Sequence, residues 1–197
     1  MTEQQNTPEL RFPNFNNRWV SETLKDSFIV NMGQSPKGDN YTNDSQYITL
    51  VQGNADLKNG RVFSRIFTRE ITKCAEINDI ILTVRAPVGE LAIAQKKVCI
   101  GRGVCSIKAN RFIYYLLEKF KLDNLWSKLS QGSTFESISG NDIKNLNIYL
   151  PSNQEQMKIS DFFSKLDYQI ELEEKKLELL EQQKKGYIQK VFSQELR

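Results

Sequence analysis

The side chains with the clearest capacity for chemistry lie in polar, turn-rich stretches. Gly33-Gln34-Ser35-Pro36-Lys37-Gly38-Asp39-Asn40-Tyr41 carries amide, hydroxyl, phenol and ammonium groups. Such groups read base edges or clamp phosphates, although a solvated loop without a ligand has the same composition. Arg61, Arg65 and Arg69 recur every fourth residue. If the segment is a strand, that spacing puts all three guanidinium groups on one face. Gly132-Ser133-Thr134 combines a flexible turn with two hydroxyls, which serve a local backbone turn as readily as a phosphate.

Several kinds of catalysis have no residues to run on. Histidine is absent, which removes Ser-His-Asp and Cys-His nucleophiles and every histidine-containing zinc site. Cys74, Cys99 and Cys105 are an odd set at loose spacing, which reads as reduced thiols rather than a disulfide framework or a structural metal site. Gly101-Arg102-Gly103 lacks the Lys-Ser or Lys-Thr and the following helix of a phosphate loop, so its glycines are assigned to a turn between strands. Asp79 opens an apolar run and is read as capping a turn, and no acidic cluster suits metal-dependent phosphodiester cleavage.

Two regions must position these groups. The boundary falls at Pro151, giving a globular part over residues 1–150 and a helix over 151–197. Of 27 Lys plus Arg and 24 Asp plus Glu, 8 and 9 lie from Pro151 onward, leaving 19 and 15 before it, so the positive excess lies wholly in the globular part. That distribution permits a polyanionic partner without demanding one. In the globular part, Tyr47–Val51, Arg61–Phe67, Asp79–Val84, Leu91–Ala94, Val104–Lys108 and Leu146–Leu150 read as short strands, with a turn at Asn59-Gly60. Between Asn110 and Ser130 the apolar spacing is helical, with Asn110 as cap. The expected fold class is therefore mixed α+β. The polar first residues lack a signal peptide and no apolar run is long enough to span a bilayer, making the cytoplasm the default location and excluding a membrane partner.

The second region begins with Ser152 and Glu155 at capping-box spacing. Apolar residues then recur in steps of four and three: Ile159, Phe163, Leu166, Ile170, Leu177, Leu180, Tyr187 and Val191, interrupted only by Glu173 and Lys184. This is a narrow coiled-coil seam on a rod of roughly 60 Å. A parallel homodimer would face Glu173 with Glu173 and Lys184 with Lys184, both unfavourable. An antiparallel pair centred between Glu178 and Leu179 sets Glu173 against Lys184, Leu177 against Leu180, Ile170 against Tyr187 and Leu166 against Val191. The seam therefore predicts an antiparallel pair, formed with a second copy or with a second repeat of similar sequence.

The order and spacing of several segments carry a family likeness: Glu9-Leu10-Arg11-Phe12-Pro13 with Trp19, the loop Gly33 to Gly38, Asn78 through Gly89, Ile100 to Val104, Gly132-Ser133-Thr134, and Pro151 through Gln156. Together they resemble the DNA specificity subunit of type I restriction-modification systems, at half its usual length of two recognition domains and two spacer helices. The resemblance implies a non-catalytic subunit that reads double-stranded DNA, each recognition domain reading one half-site, and that directs DNA-methyltransferase and restriction/translocase subunits to the site. S-adenosylmethionine and ATP would be held by those subunits, with no cofactor on this chain. The residues assigned to DNA are Gln34, Ser35, Lys37, Asn40, Tyr41, Arg61, Arg65, Arg85, Arg102, Ser133 and Thr134. A coiled-coil protein-interaction module with a head that does not bind DNA would show the same seam, and salt-dependent, sequence-selective DNA binding separates the two.

Overall fold

The chain divides into two compact units, Met1–Gln156 and Met157–Arg197. The computed structural model describes residues 8–130 and 137–193.

The first unit is built on three sheets. β1 (Val20–Thr23) and β13 (Asn147–Leu150) form an antiparallel two-stranded clasp. The short α1 (Leu24–Ser27) follows β1, its fully buried Leu24 donating its N–H to the Leu146 carbonyl at 2.9 Å. The six-stranded sheet runs β2 (Ile29–Met32), β12 (Val104–Lys108), β9 (Ile80–Thr83), β10 (Leu91–Ile93), β6 (Arg61–Val62), β5 (Leu57–Lys58). The five-stranded sheet runs β3 (Tyr41–Thr42), β7 (Ile66–Thr68), β4 (Ile48–Val51), β11 (Val98–Ile100), β8 (Cys74–Ala75). β10 is parallel to β6 and β11 is parallel to β4; the other pairs are antiparallel.

Central position explains composition. β9 lies between β12 and β10, and all four of its residues are buried, so Ile80-Ile81-Leu82-Thr83 is a continuous run rather than an alternation. Val51, Val98 and Ile100 from the five-stranded sheet meet Ile81 and Val104 from the six-stranded one, and these residues form one buried cluster with Ala75 and Ala94. β5 and β6 are joined by Asn59 and Gly60, both at positive φ, the two-residue turn whose twist matches a hairpin.

The helices follow the sequence closely. Asn110 caps α2 (Arg111–Leu122), its Oδ1 accepting the Ile113 N–H. Asn124, at φ 54°, breaks the pattern before α3 (Leu125–Ser130). Unforeseen in the sequence is α4 (Gly140–Lys144), opened by a reciprocal Ser139–Asp142 capping box. α5 (Asn153–Phe192) is one helix of 40 residues.

Two sequence expectations need correction. Arg61–Phe67 is not one strand: the chain leaves the six-stranded sheet after Val62 and joins the five-stranded sheet at Ile66. The four-residue spacing of Arg61, Arg65 and Arg69 therefore defines no common face. The Ser152–Glu155 capping box is half formed. The Glu155 N–H reaches Ser152 Oγ at 3.4 Å, but its carboxylate is taken by Arg11, from which Nε and Nη2 each donate at 2.7 Å.

Candidate nucleic-acid interface

Three loops converge because two glycines leave room. A Cβ on Gly33 would lie 2.1 Å from the Gly101 carbonyl oxygen, and one on Gly103 would lie 2.0 Å from the Gln52 carbonyl oxygen. Backbone bonds hold the approach: the Gly33 N–H donates to Val104 O at 3.0 Å, Gln34 N–H to Ile100 O at 2.9 Å, and Gly101 N–H to Val51 O at 2.8 Å. Ser35 Oγ accepts the Arg102 N–H at 3.1 Å. The Gly101 to Gly103 turn between β11 and β12 thus sits between the Gly33 loop and the Gln52 to Asp56 segment, in the strand-connecting role assigned from sequence.

The rest of the Gly33 to Tyr41 loop is fastened by a residue that the sequence did not single out. The Glu70 carboxylate accepts the Lys37 N–H at 2.9 Å and the Asn40 side-chain amide at 2.7 Å. These bonds, the backbone N–H first and the amide second, hold the Glu70 carboxyl below the ordinary carboxylate range, and the Lys37 charge adds to the effect. Thr72 Oγ1 donates to the Gln34 carbonyl, and Tyr41 Oη reaches Gln52 Oε1 at 3.5 Å. Asp56, buried, receives the Gln52 and Gly53 N–H groups. Ser35 and Asn40 therefore spend hydrogen-bonding capacity inside the protein. The Gln34 amide and the Lys37 ammonium make no hydrogen bond or salt bridge among the described residues, and both residues are exposed.

Arg85 and Arg102 meet at a cavity of about 460 Å³, lined also by Met32, Leu129, Ser130 and Ser137. The Val84 N–H donates to Gly103 O at 2.9 Å, which brings the two arginine-bearing turns together. Thr83 shapes the Arg85 turn: its Oγ1 donates to Pro87 O at 2.7 Å and accepts the Glu90 N–H at 2.9 Å. Neither guanidinium has an ion-pair or hydrogen-bond partner among the described residues. Among the described residues the one carboxylate lining the cavity, Asp142, is engaged by Ser139. Two cations without a counter-charge among the described residues, set beside hydroxyls, make a site suited to an anion.

Arg61 and Arg65 do not line this cavity. Arg61 stands in β6, opposite Ile93 and Lys58, and Arg65 Nη1 donates to Ala55 O at 3.2 Å. Arg69 stacks over the Tyr47 ring at 5.4 Å. Ser133 and Thr134 lie outside the described residues. Among the described residues, no group of three or more His, Cys, Asp or Glu could hold a metal ion.

In the second unit, α5 carries the apolar series uninterrupted by any break in the helix. Leu166, Ile170, Leu177, Leu180, Tyr187 and Val191 are all exposed in the single chain, a row of large apolar side chains with no covering element of their own. No helix among the described residues is long and apolar enough to cross a membrane.

Residues 16–182 match the model of the type I restriction modification DNA specificity domain, and the chain belongs to that family. It is 32% identical over 176 residues to a putative type I restriction enzyme MjaX specificity subunit of Methanocaldococcus jannaschii, covering 86% of this chain and 41% of that protein. The HsdS subunit from Thermoanaerobacter tengcongensis has a similar structure, with a TM-score of 0.66 at 26% identity over 84% of this chain and 40% of that one. A chain from a study of complex assembly and conformational transition of the type I R-M system superposes with a TM-score of 0.73 at 25% identity, covering 93% of this chain and 46% of that one. The chain spans less than half the length of the relatives it matches.

Proposed function

We propose that the chain reads one half of a bipartite DNA target and thereby directs type I methyltransferase and restriction subunits to that site, without catalysing a reaction itself. Residues 1–150 are the recognition domain and 151–197 the spacer helix that pairs antiparallel with a second copy or a second repeat. S-adenosylmethionine and ATP belong to the partner subunits.

The observation that carries this reading beyond family membership is the pair of guanidinium groups without a partner among the described residues, Arg85 and Arg102, beside the clamped loop that exposes Gln34 and Lys37. Unpaired arginines at a concave surface position a duplex through its phosphates, and a rigid loop bearing an amide can then address base edges. The decisive measurement is DNA affinity of the assembly with its methyltransferase subunits as salt is varied. Arg85→Ala and Arg102→Ala are expected to weaken binding to all sequences and to reduce the slope of log K against log salt by about 0.9 for each phosphate no longer neutralised. Gln34→Ala is expected to relax preference at a base position while leaving that slope unchanged. Unaltered slopes for both arginine variants would remove this surface from the DNA interface.

A further inference from the structure

Cys74 and Cys99 are direct partners in the antiparallel register of β8 and β11. In that ladder residue numbers on facing positions sum to a constant, and the Ile100 N–H donates to the Lys73 carbonyl at 2.8 Å. Lys73 with Ile100 is thus a hydrogen-bonded position, and Cys74 with Cys99, one step along, is a non-hydrogen-bonded one. At such positions the two Cα atoms approach to about 4.5 Å and both side chains stand on the same face. That spacing lies at the short end of the range a disulfide spans. The neighbouring position on the same face is also a matched pair, with Lys97 Nζ 2.6 Å from Glu76 Oε1. On the other side, Thr72 Oγ1 lies 3.5 Å from Cys99 Sγ and bonds the Gln34 carbonyl.

Accessibility differs within the pair. β8 is the edge of its sheet and Cys74 is partly exposed, while Cys99 is buried beneath it. We propose that Cys74 and Cys99 are a redox-sensitive dithiol, converted by a peroxide into a reversible disulfide that fastens the edge strand to the sheet. The partly exposed Cys74 sulfur takes an oxygen atom from the peroxide, giving a sulfenic acid and one water. The Cys99 sulfur then attacks the Cys74 sulfur, the S–S bond forms and a second water leaves. The peroxide is reduced by the two electrons that the thiols lose, and the thiol hydrogens end in water. Burial, and next the adjacent Cys99, push the Cys74 thiol up, with Lys97 opposing, so the first step needs excess oxidant. Cys105 provides an internal control: it is fully buried, its thiol is pushed up to about 12, and it lies on β12 opposite Leu82 and Met32.

The test is to expose the full chain to hydrogen peroxide, block remaining thiols and map tryptic peptides without reductant. Residues 74–85 are expected to be joined to residues 98–102, with the link lost on adding dithiothreitol and the Cys105 peptide blocked as a free thiol. Cys74→Ser and Cys74→Ala, at the exposed partner, are expected to abolish the link while keeping the native circular dichroism spectrum. Mixing isotopically labelled with unlabelled protein is expected to give no mixed pairs. Recovery of both peptides unlinked after oxidation of Cys74 to the sulfinic acid would overturn the proposal, as would a link to Cys105 or a link between chains.

Discussion

Arg11 grips Glu155 with two prongs, Nε to Oε1 and Nη2 to Oε2, each at 2.7 Å, joining residues 144 apart in sequence. The Glu155 side chain is only 2% exposed, and Arg11 Nη2 also donates to the Asn17 carbonyl at 2.8 Å. Two further contacts fix the same turn: Gln156 Nε2 donates to Pro151 O at 3.0 Å and Gln156 Oε1 accepts from Asn110 Nδ2 at 2.7 Å. The first turn of α5 is therefore part of the globular unit. The Arg11 side chain, held by this carboxylate, is pushed further toward its charged form.

Removing one partner of a buried pair costs more than the pair contributes, because the other charge is left without compensation. Arg11→Ala is expected to lower the thermal midpoint, since the buried Glu155 carboxylate is left without its partner. Arg11→Lys keeps the charge but not the fork, and is expected to recover only part of the loss. Differential scanning calorimetry of the three proteins checks both statements.

Gly103 and Gly38 give a matched comparison. A Cβ at Gly103 collides with backbone, whereas nothing lies within 4 Å of the corresponding position at Gly38. Gly103→Ala is expected to cost about 1–3 kcal/mol through forced separation of the loops. Gly38→Ala is expected to stay within about 0.5 kcal/mol of the parent. Denaturant midpoints at constant slope report the difference.

Glu70 ties the Gly33 to Tyr41 loop to pH. Its carboxyl is depressed in the folded protein, so its contribution is complete above the unfolded-state value and fades as pH falls through the lower folded value. Acidification from roughly pH 5 to pH 3 is therefore expected to release the Lys37 N–H, seen as faster amide exchange after correction for intrinsic rates. Glu70→Gln is expected to abolish that pH response.

The seam of α5 sets a charge-reversal test. Glu173→Lys is expected to weaken self-association, or association between two repeats, several-fold, and adding Lys184→Glu in the same chain is expected to restore it. Sedimentation equilibrium of the single and double variants is sufficient. In the single chain Glu173 lies 3.6 Å from Lys176 on its own helix, an exposed contact that salt screens readily.

What the sequence disclosed follows from how local each interaction is. α5 was legible because its seam repeats over many turns and Ser152 marks its start. β4, β9, β10 and β12 were legible because each supplies three or more consecutive buried or apolar residues. β3, β5 and β8 have two residues each and exist because a distant strand supplies their partners, so no local pattern announces them. Arg61 to Phe67 misled for the same reason: strand-forming residues were continuous while the sheets receiving them were different. In the candidate site, Gln34, Lys37, Arg85 and Arg102 were visible as side-chain types. Their arrangement was not, since it depends on contacts such as Ser35 with Arg102, 67 residues apart, and on Glu70, an ordinary surface acid until Lys37 and Asn40 meet it.

The clasp of β1 and β13 places Val20 opposite Leu150 and Thr23 opposite Asn147, so the fold is entered and left at neighbouring points. A body with adjoining entry and exit needs little connecting chain to be carried within a larger polypeptide. Everything between those strands is accordingly a single cassette. Replacing residues 20–150 as a block would therefore join a new body to flanking chain ends that already lie side by side.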